Sequence, residues 1–202
     1  VQEVMRRAGF KTAGLIANGF VSERWGYRRG FDTWHNYITT RGGLPGLRPN
    51  ERTAQLDWGR TRGVRAVRGE VMMRDALEWM VAQGDSRFFL MLHTVDPHTP
   101  YRAPRQFWEP LVPFPVGKEL PLNPNNTGVY ADQFNAKKFT FTDRQFQFFE
   151  ALYLGEVAYT DHYVGKLMDA LVAFGIADET LIIITADHGE GFRDHGSVGH
   201  GT

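Results

Sequence analysis

The sequence predicts an α/β protein, a mostly parallel sheet sandwiched between helices. Two observations carry this: three apolar runs of strand length, Thr12–Ala17, Phe88–Leu92 and Thr180–Thr185, and a segment of helical spacing ahead of each. Strands that are apolar on both faces belong to parallel sheets covered by helices, and helix-strand alternation is how such sheets are wound.

The first unit opens with Val1, Val4, Met5 and Ala8 at helical spacing, stops at Gly9 and continues into the strand TAGLIA. Residues 42–68 turn to Gly, Arg and Pro with little periodicity, which predicts a surface insertion. Helical spacing resumes with Val71, Ala76, Leu77, Met80 and Val81, ends near Gly84, and leads into Phe88–Leu92. From Pro97 to Asn126 lie eight of the ten prolines, predicting an irregular loop, and residues 107–142 read as a second variable insertion. A long helix is expected from Asp143 to Phe174, with Val157, Asp161, Val164, Met168 and Leu171 along one stripe, followed by Gly175 and the third strand.

Composition narrows the function. With 202 residues and 42% hydrophobic content the chain can bury a core. Lys+Arg and Asp+Glu are both 23, so no global field attracts nucleic acid or an anionic membrane. No apolar run reaches the roughly 18 residues of a membrane span. The absence of Cys removes disulfides, cysteine-ligated zinc and a cysteine nucleophile. The Asn125–Thr127 triplet is too common a pattern to imply glycosylation. Val1 opens directly in a helical pattern and Thr202 closes a Gly/His-rich loop, so the chain reads as an internal piece of one catalytic domain.

Ligands of open α/β sheets gather beyond the carboxyl ends of the strands. Five of the seven histidines lie in the loops after the second and third runs. One loop holds His93, Asp96 and His98; the other holds Asp187, His188, Glu190, Asp194, His195 and His200. Asp187 and His188 pair a hard oxygen with an imidazole, suited to a divalent ion if further ligands arrive from elsewhere. An isolated pair would instead read as a helix cap beside a surface histidine. His98, flanked by prolines, is placed to donate to an anionic ester or protonate a leaving group, or is simply a turn histidine. Asp161, on an apolar stripe, reads as a buried hydrogen-bond anchor rather than a catalytic group.

The segments AGFKTAGLIANGFVSERWGYRRGFDTW, HTVDPHTPYRAP, EVAYTDHYVGKLMDAL and IIITADHGEGFRDHG, in this order, resemble the sulfatase family of the alkaline phosphatase superfamily. The resemblance implies a large sheet between helices and a divalent cation, with calcium the implied ion and manganese the alternative, holding an oxyanion against a formylglycine nucleophile. Asp187 and His188 match the metal ligands; many relatives have Asp-Asn there. His98 matches the histidine that contacts the ester, and His200 falls where relatives often carry a substrate-binding lysine. Many sulfatases place a Lys and a His after the first strand; here either substrate anchoring differs from the best-known arylsulfatases or Asn18 and Arg24 compensate. The resemblance also implies a sulfate or phosphate ester as substrate and a periplasmic or extracellular setting. The C/S-x-P-x-R nucleophile motif and the paired aspartates of the family are absent from these residues. The polypeptide alone is therefore expected to be inactive, and the parent protein to be a sulfuric ester hydrolase. The alternatives are a phosphodiesterase or phosphonate monoester hydrolase on the same frame, and a non-enzymatic remnant.

Overall fold

The structure, a computed structural model, describes residues 1–38 and 69–200; the expected insertion at 42–68 lies outside the described residues. The chain forms two compact units, Val1–Val95 and the part that follows from Asp96.

The first unit is built on a three-stranded parallel sheet in the order β2-β1-β3. A short helix α1, Gln2–Arg7, feeds the central strand β1, Lys11–Ile16, as the spacing predicts. Strand β3, Phe88–His93, pairs with it in the register Leu15↔Leu92, and helix α2, Gly69–Ala82, precedes it. The third strand is β2, Thr33–Asn36, with Leu15 opposite His35. Its sequence, TWHN, is polar and only four residues long, so periodicity does not reveal it. Thr12, Ala13, Leu15 and Ile16 are fully buried. Leu15 and Ala17 form a core with Tyr37, Met72 and Ala76, joined by Leu90 and Leu92. On the opposite face Gly14 lies under Trp34, whose ring would come within 2.7 Å of an added Cβ.

The second unit is organised by one long helix. Helix α3, Arg105–Trp108, and α4, Thr127–Asn135, come first; α5, Asp143–Ala173, spans 31 residues. Thr142 begins α5 with a capping box: its hydroxyl accepts from the Gln145 N–H while the Gln145 side chain accepts from the Thr142 N–H. Phe148, Leu152, Glu156 and Tyr159 are buried, whereas Val157 and Met168 are 40% and 42% exposed. Of the predicted stripe Leu171 is buried, but around Val157 the buried face is set one residue away, and Asp161 is an exposed carboxylate rather than a buried anchor. The buried acid is Glu156, which accepts from the backbone N–H of Arg102. Aromatic residues share the interior with aliphatic ones: Phe148, Phe149, Tyr159 and Tyr163 are buried beside Leu152 and Leu171, while Val157 and Met168 face the surface. Gly155 lets α3 close on α5, because an added Cβ would fall 2.5 Å from Cβ of Trp108. Helices α3 and α4 occupy the segment expected to be an irregular proline-rich loop and insertion; prolines at 104, 110 and 124 stand at or near the starts of helical turns, where a missing N–H costs nothing.

The third predicted strand, Thr180–Thr185, is not a strand among the described residues. Leu181, Ile183 and Ile184 are 86%, 79% and 73% exposed. A β-prone run becomes a strand only when a neighbour takes its N–H and C=O groups, and no described segment does. The two further strands, β4, Gly191–Phe192, and β5, Val198–Gly199, make a small antiparallel hairpin instead.

Candidate functional site

Three of the predicted site residues meet in the second unit. The His98 and His200 rings lie 4.9 Å apart between centroids, and His188 and His200 lie 4.4 Å apart. They come from three places in the chain: the proline-rich turn, the loop after Leu181–Ile184, and the residue that follows β5.

The hairpin explains the third of these. Gly191 pairs with Gly199 and Phe192 with Val198, so the next positions outward, Glu190 and His200, stand across from each other. Nδ1 of His200 lies 3.0 Å from Oε1 of Glu190. The turn is closed by Asp194, whose carboxylate accepts from the Phe192 N–H, and by the Arg193 N–H donating to Ser197 O. Asn135, at the end of α4, acts as a third strand: its side chain donates to Val198 O and accepts from the Val198 N–H. Arg193 lays its guanidinium 3.7 Å from the Phe146 ring centre, tying the hairpin to α5.

Each imidazole has its Nδ1 committed. His98 Nδ1 is 2.6 Å from Thr99 O and His188 Nδ1 is 2.7 Å from Gly189 O. A carbonyl oxygen can only accept, so both Nδ1 atoms carry hydrogen and Nε2 is the nitrogen these bonds leave over. The Gly189 hydrogen bond, followed by the charges of Asp187 and Glu190, holds His188 above its ordinary pKa. Asp187 is open, its side chain 71% exposed, with Oδ2 at 3.8 Å from His188 Nε2. His200 is 32% exposed, but the Glu190 side chain is only 5% exposed. Glu190 is reached from below by Tyr101, whose hydroxyl donates to Oε2 at 3.4 Å. Burial, then the neighbouring Glu190 charge, pushes the Tyr101 phenol far above its usual range, so it remains a donor. Tyr101 is fixed in turn by Thr127, whose hydroxyl accepts from its N–H at 2.8 Å, and by edge contacts with Phe149 and Tyr153.

The remaining candidates lie elsewhere. His195 and Asp194 are exposed at the hairpin turn. Asn18 belongs to the first unit, where its side-chain oxygen accepts from the Phe20 N–H at 2.8 Å and its carbonyl accepts from Asn36. Arg24 places its guanidinium over Trp25 at 5.5 Å. Glu190 and Tyr101 were given no role from sequence; the signal was present, since Glu190 stands two residues after His188, but the partner that gives it meaning is ten residues further on.

A parallel sheet with a helix ahead of its strands, followed by a unit organised on one long helix, defines the class of fold. Two solved structures share the fold: phosphonate monoester hydrolase of Agrobacterium radiobacter, at TM-score 0.57 and 19% identity over 100% of this chain and 49% of that one, and phosphonate monoester hydrolase SpPMH from Silicibacter pomeroyi, at 0.56 and 21% over 96% and 48%. The family model for Sulfatase matches residues 1–202, and the chain belongs to the sulfatase family. An arylsulfatase of Clostridium perfringens is 25% identical over 192 residues, 90% of this chain and 31% of the relative. A choline-sulfatase of Rhizobium meliloti is 31% identical over 108 residues, 50% of this chain and 21% of the relative. The chain therefore spans less than a third of the length of these two curated relatives.

Proposed function

We propose that the protein carrying this chain is a metal-dependent hydrolase of sulfate esters, in which these residues supply two metal ligands and the groups that meet the anionic ester. The convergence of His98, His188 and His200 beside Asp187 carries the reading.

Asp187 and His188 suit a divalent ion by their chemistry: an open carboxylate and an imidazole whose Nδ1 is already donated, leaving Nε2 as the ligand atom. Among the described residues no three or more His, Asp or Glu side chains are gathered to hold a metal by themselves. The two are accordingly assigned as part of a shell. Calcium or manganese bound there would neutralise charge on the ester oxygens. His98 and His200 contact the ester group, donating to its oxygens or protonating the leaving oxygen. The nucleophile, a formylglycine by family resemblance, is contributed by residues outside this chain.

A phosphonate monoester or phosphodiester is the second substrate class. Its support is the fold shared with the two phosphonate monoester hydrolases and the imidazole at position 188. The test is the full-length protein with calcium or manganese, assayed on 4-nitrophenyl sulfate and on 4-nitrophenyl phenylphosphonate. Faster turnover of the sulfate is expected, and a preference for the phosphonate would replace the first reading by the second. Loss of neither activity on chelation would overturn the metal assignment.

A further inference from the structure

We propose that Glu190 is the positioning residue of this site: its carboxylate holds the His200 ring by Nδ1 and thereby makes Nε2 the atom that meets the substrate. The inference rests on the reading above that His200 contacts the ester, and it goes beyond it by naming the residue that orients that contact.

The geometry gives Glu190 no other task. Its side chain is almost wholly buried, and both carboxylate oxygens are engaged, Oε1 by His200 and Oε2 by Tyr101. An acid is costly in such a place unless paired, so the pair is a designed contact rather than a surface accident. The β4–β5 register fixes its distance, and Asn135 fixes the hairpin. The carboxylate accepts only, so Nδ1 must donate. Whatever charge the ring carries, Nδ1 is occupied, and Nε2, across the ring, is left for the ester. His98 and His188 reach the same condition through backbone carbonyls. His200 alone depends on a side chain and can be uncoupled by mutation.

The experiment uses the full-length protein with 15N-labelled histidine. In the wild type the His200 ring should show a hydrogen-bonded Nδ1–H. Glu190→Leu should abolish that signal and lower kcat on the order of 10- to 100-fold with little change in KM, and Glu190→Gln, which keeps an acceptor oxygen, should restore most of it. Retention of the Nδ1–H signal in Glu190→Leu, or an unchanged kcat, overturns the proposal. Should the leucine variant not fold, His200 itself decides. His200→Gln sets its amide near the Nε2 position and His200→Asn near Nδ1, so Gln should keep roughly tenfold more activity; equality or the reverse order overturns the assignment of Nε2. If His200→Ala turns over like wild type, the substrate role of His200 and the proposal both fall. If His200→Ala is impaired while Glu190→Leu is not, only the positioning role falls.

Discussion

The two units spend their polar groups differently. In the first, most polar side chains near the sheet are turned back onto the backbone or onto one another: Thr12 donates to Gly30 O and contacts Asp32, Asn36 donates to the carbonyls of Asn18 and Val21, and Tyr37 donates to Asp75, whereas Nδ1 of His93 is buried without a partner among the described residues. In the second, backbone carbonyls and a buried acid hold Nδ1 of His98, His188 and His200, leaving Nε2 of each ring outside those bonds. A polar group with all its bonds made inside the fold stabilises; one held by half its bonds is poised for a ligand. The loop that follows the third apolar run, within the second unit, was also the richer in candidate residues, six against three.

The largest expected effect tests the second unit. His98→Ala in the full-length protein should lower turnover about a hundredfold while leaving the thermal midpoint nearly unchanged, because the ring is exposed and packs little. Steady-state kinetics beside calorimetry checks this, and a wild-type rate would end the assignment. Gly14→Ala tests the opposite behaviour in the scaffold. The new Cβ meets Trp34, whose ring lies tilted against Phe31 at 5.5 Å, so denaturant unfolding should show a loss of about 1–3 kcal/mol. Thr142→Ala should cost about 1 kcal/mol by removing the cap of α5, seen as faster amide exchange in its first turn.

The smallest effect is the pH response of Asp32. Burial is the largest single influence and raises its pKa, but the Thr12 hydrogen bonds and Arg6 together outweigh it, and the net value lies below the ordinary 3.8. A carboxyl depressed on folding stabilises above its unfolded pKa, and that contribution is lost as pH falls through the folded one. The stability difference between wild type and Asp32→Asn should therefore be constant at neutral pH and shrink only below about pH 3.8. A difference that disappears nearer neutrality would break the assignment of Asp32 as a structural acid.

Much of this was legible in the residues. Helices α1, α2 and α5 and strands β1 and β3 follow from apolar spacing, because burial of one face is a local demand written at a fixed period. Asp187, His188, His98 and His200 were legible from residue type, order and family likeness. Other features depend on partners. Strand β2 exists because β1 offers it an edge, and the run Thr180–Thr185, with the stronger β pattern, has no strand beside it among the described residues. The stripe of α5 was set by which aromatic side chains fit against Trp108 and Tyr101, not by the aliphatic count. The sequence by itself determined the class of fold, the family and the inventory of acids and imidazoles, since these depend on composition and local period. Only the tertiary structure decided which imidazoles touch, that Glu156 rather than Asp161 is the buried acid of α5, and that Glu190 holds Nδ1 of His200. Those properties belong to hydrogen bonds between residues far apart in the chain, such as the Asn135–Val198 clamp, and no local pattern specifies them.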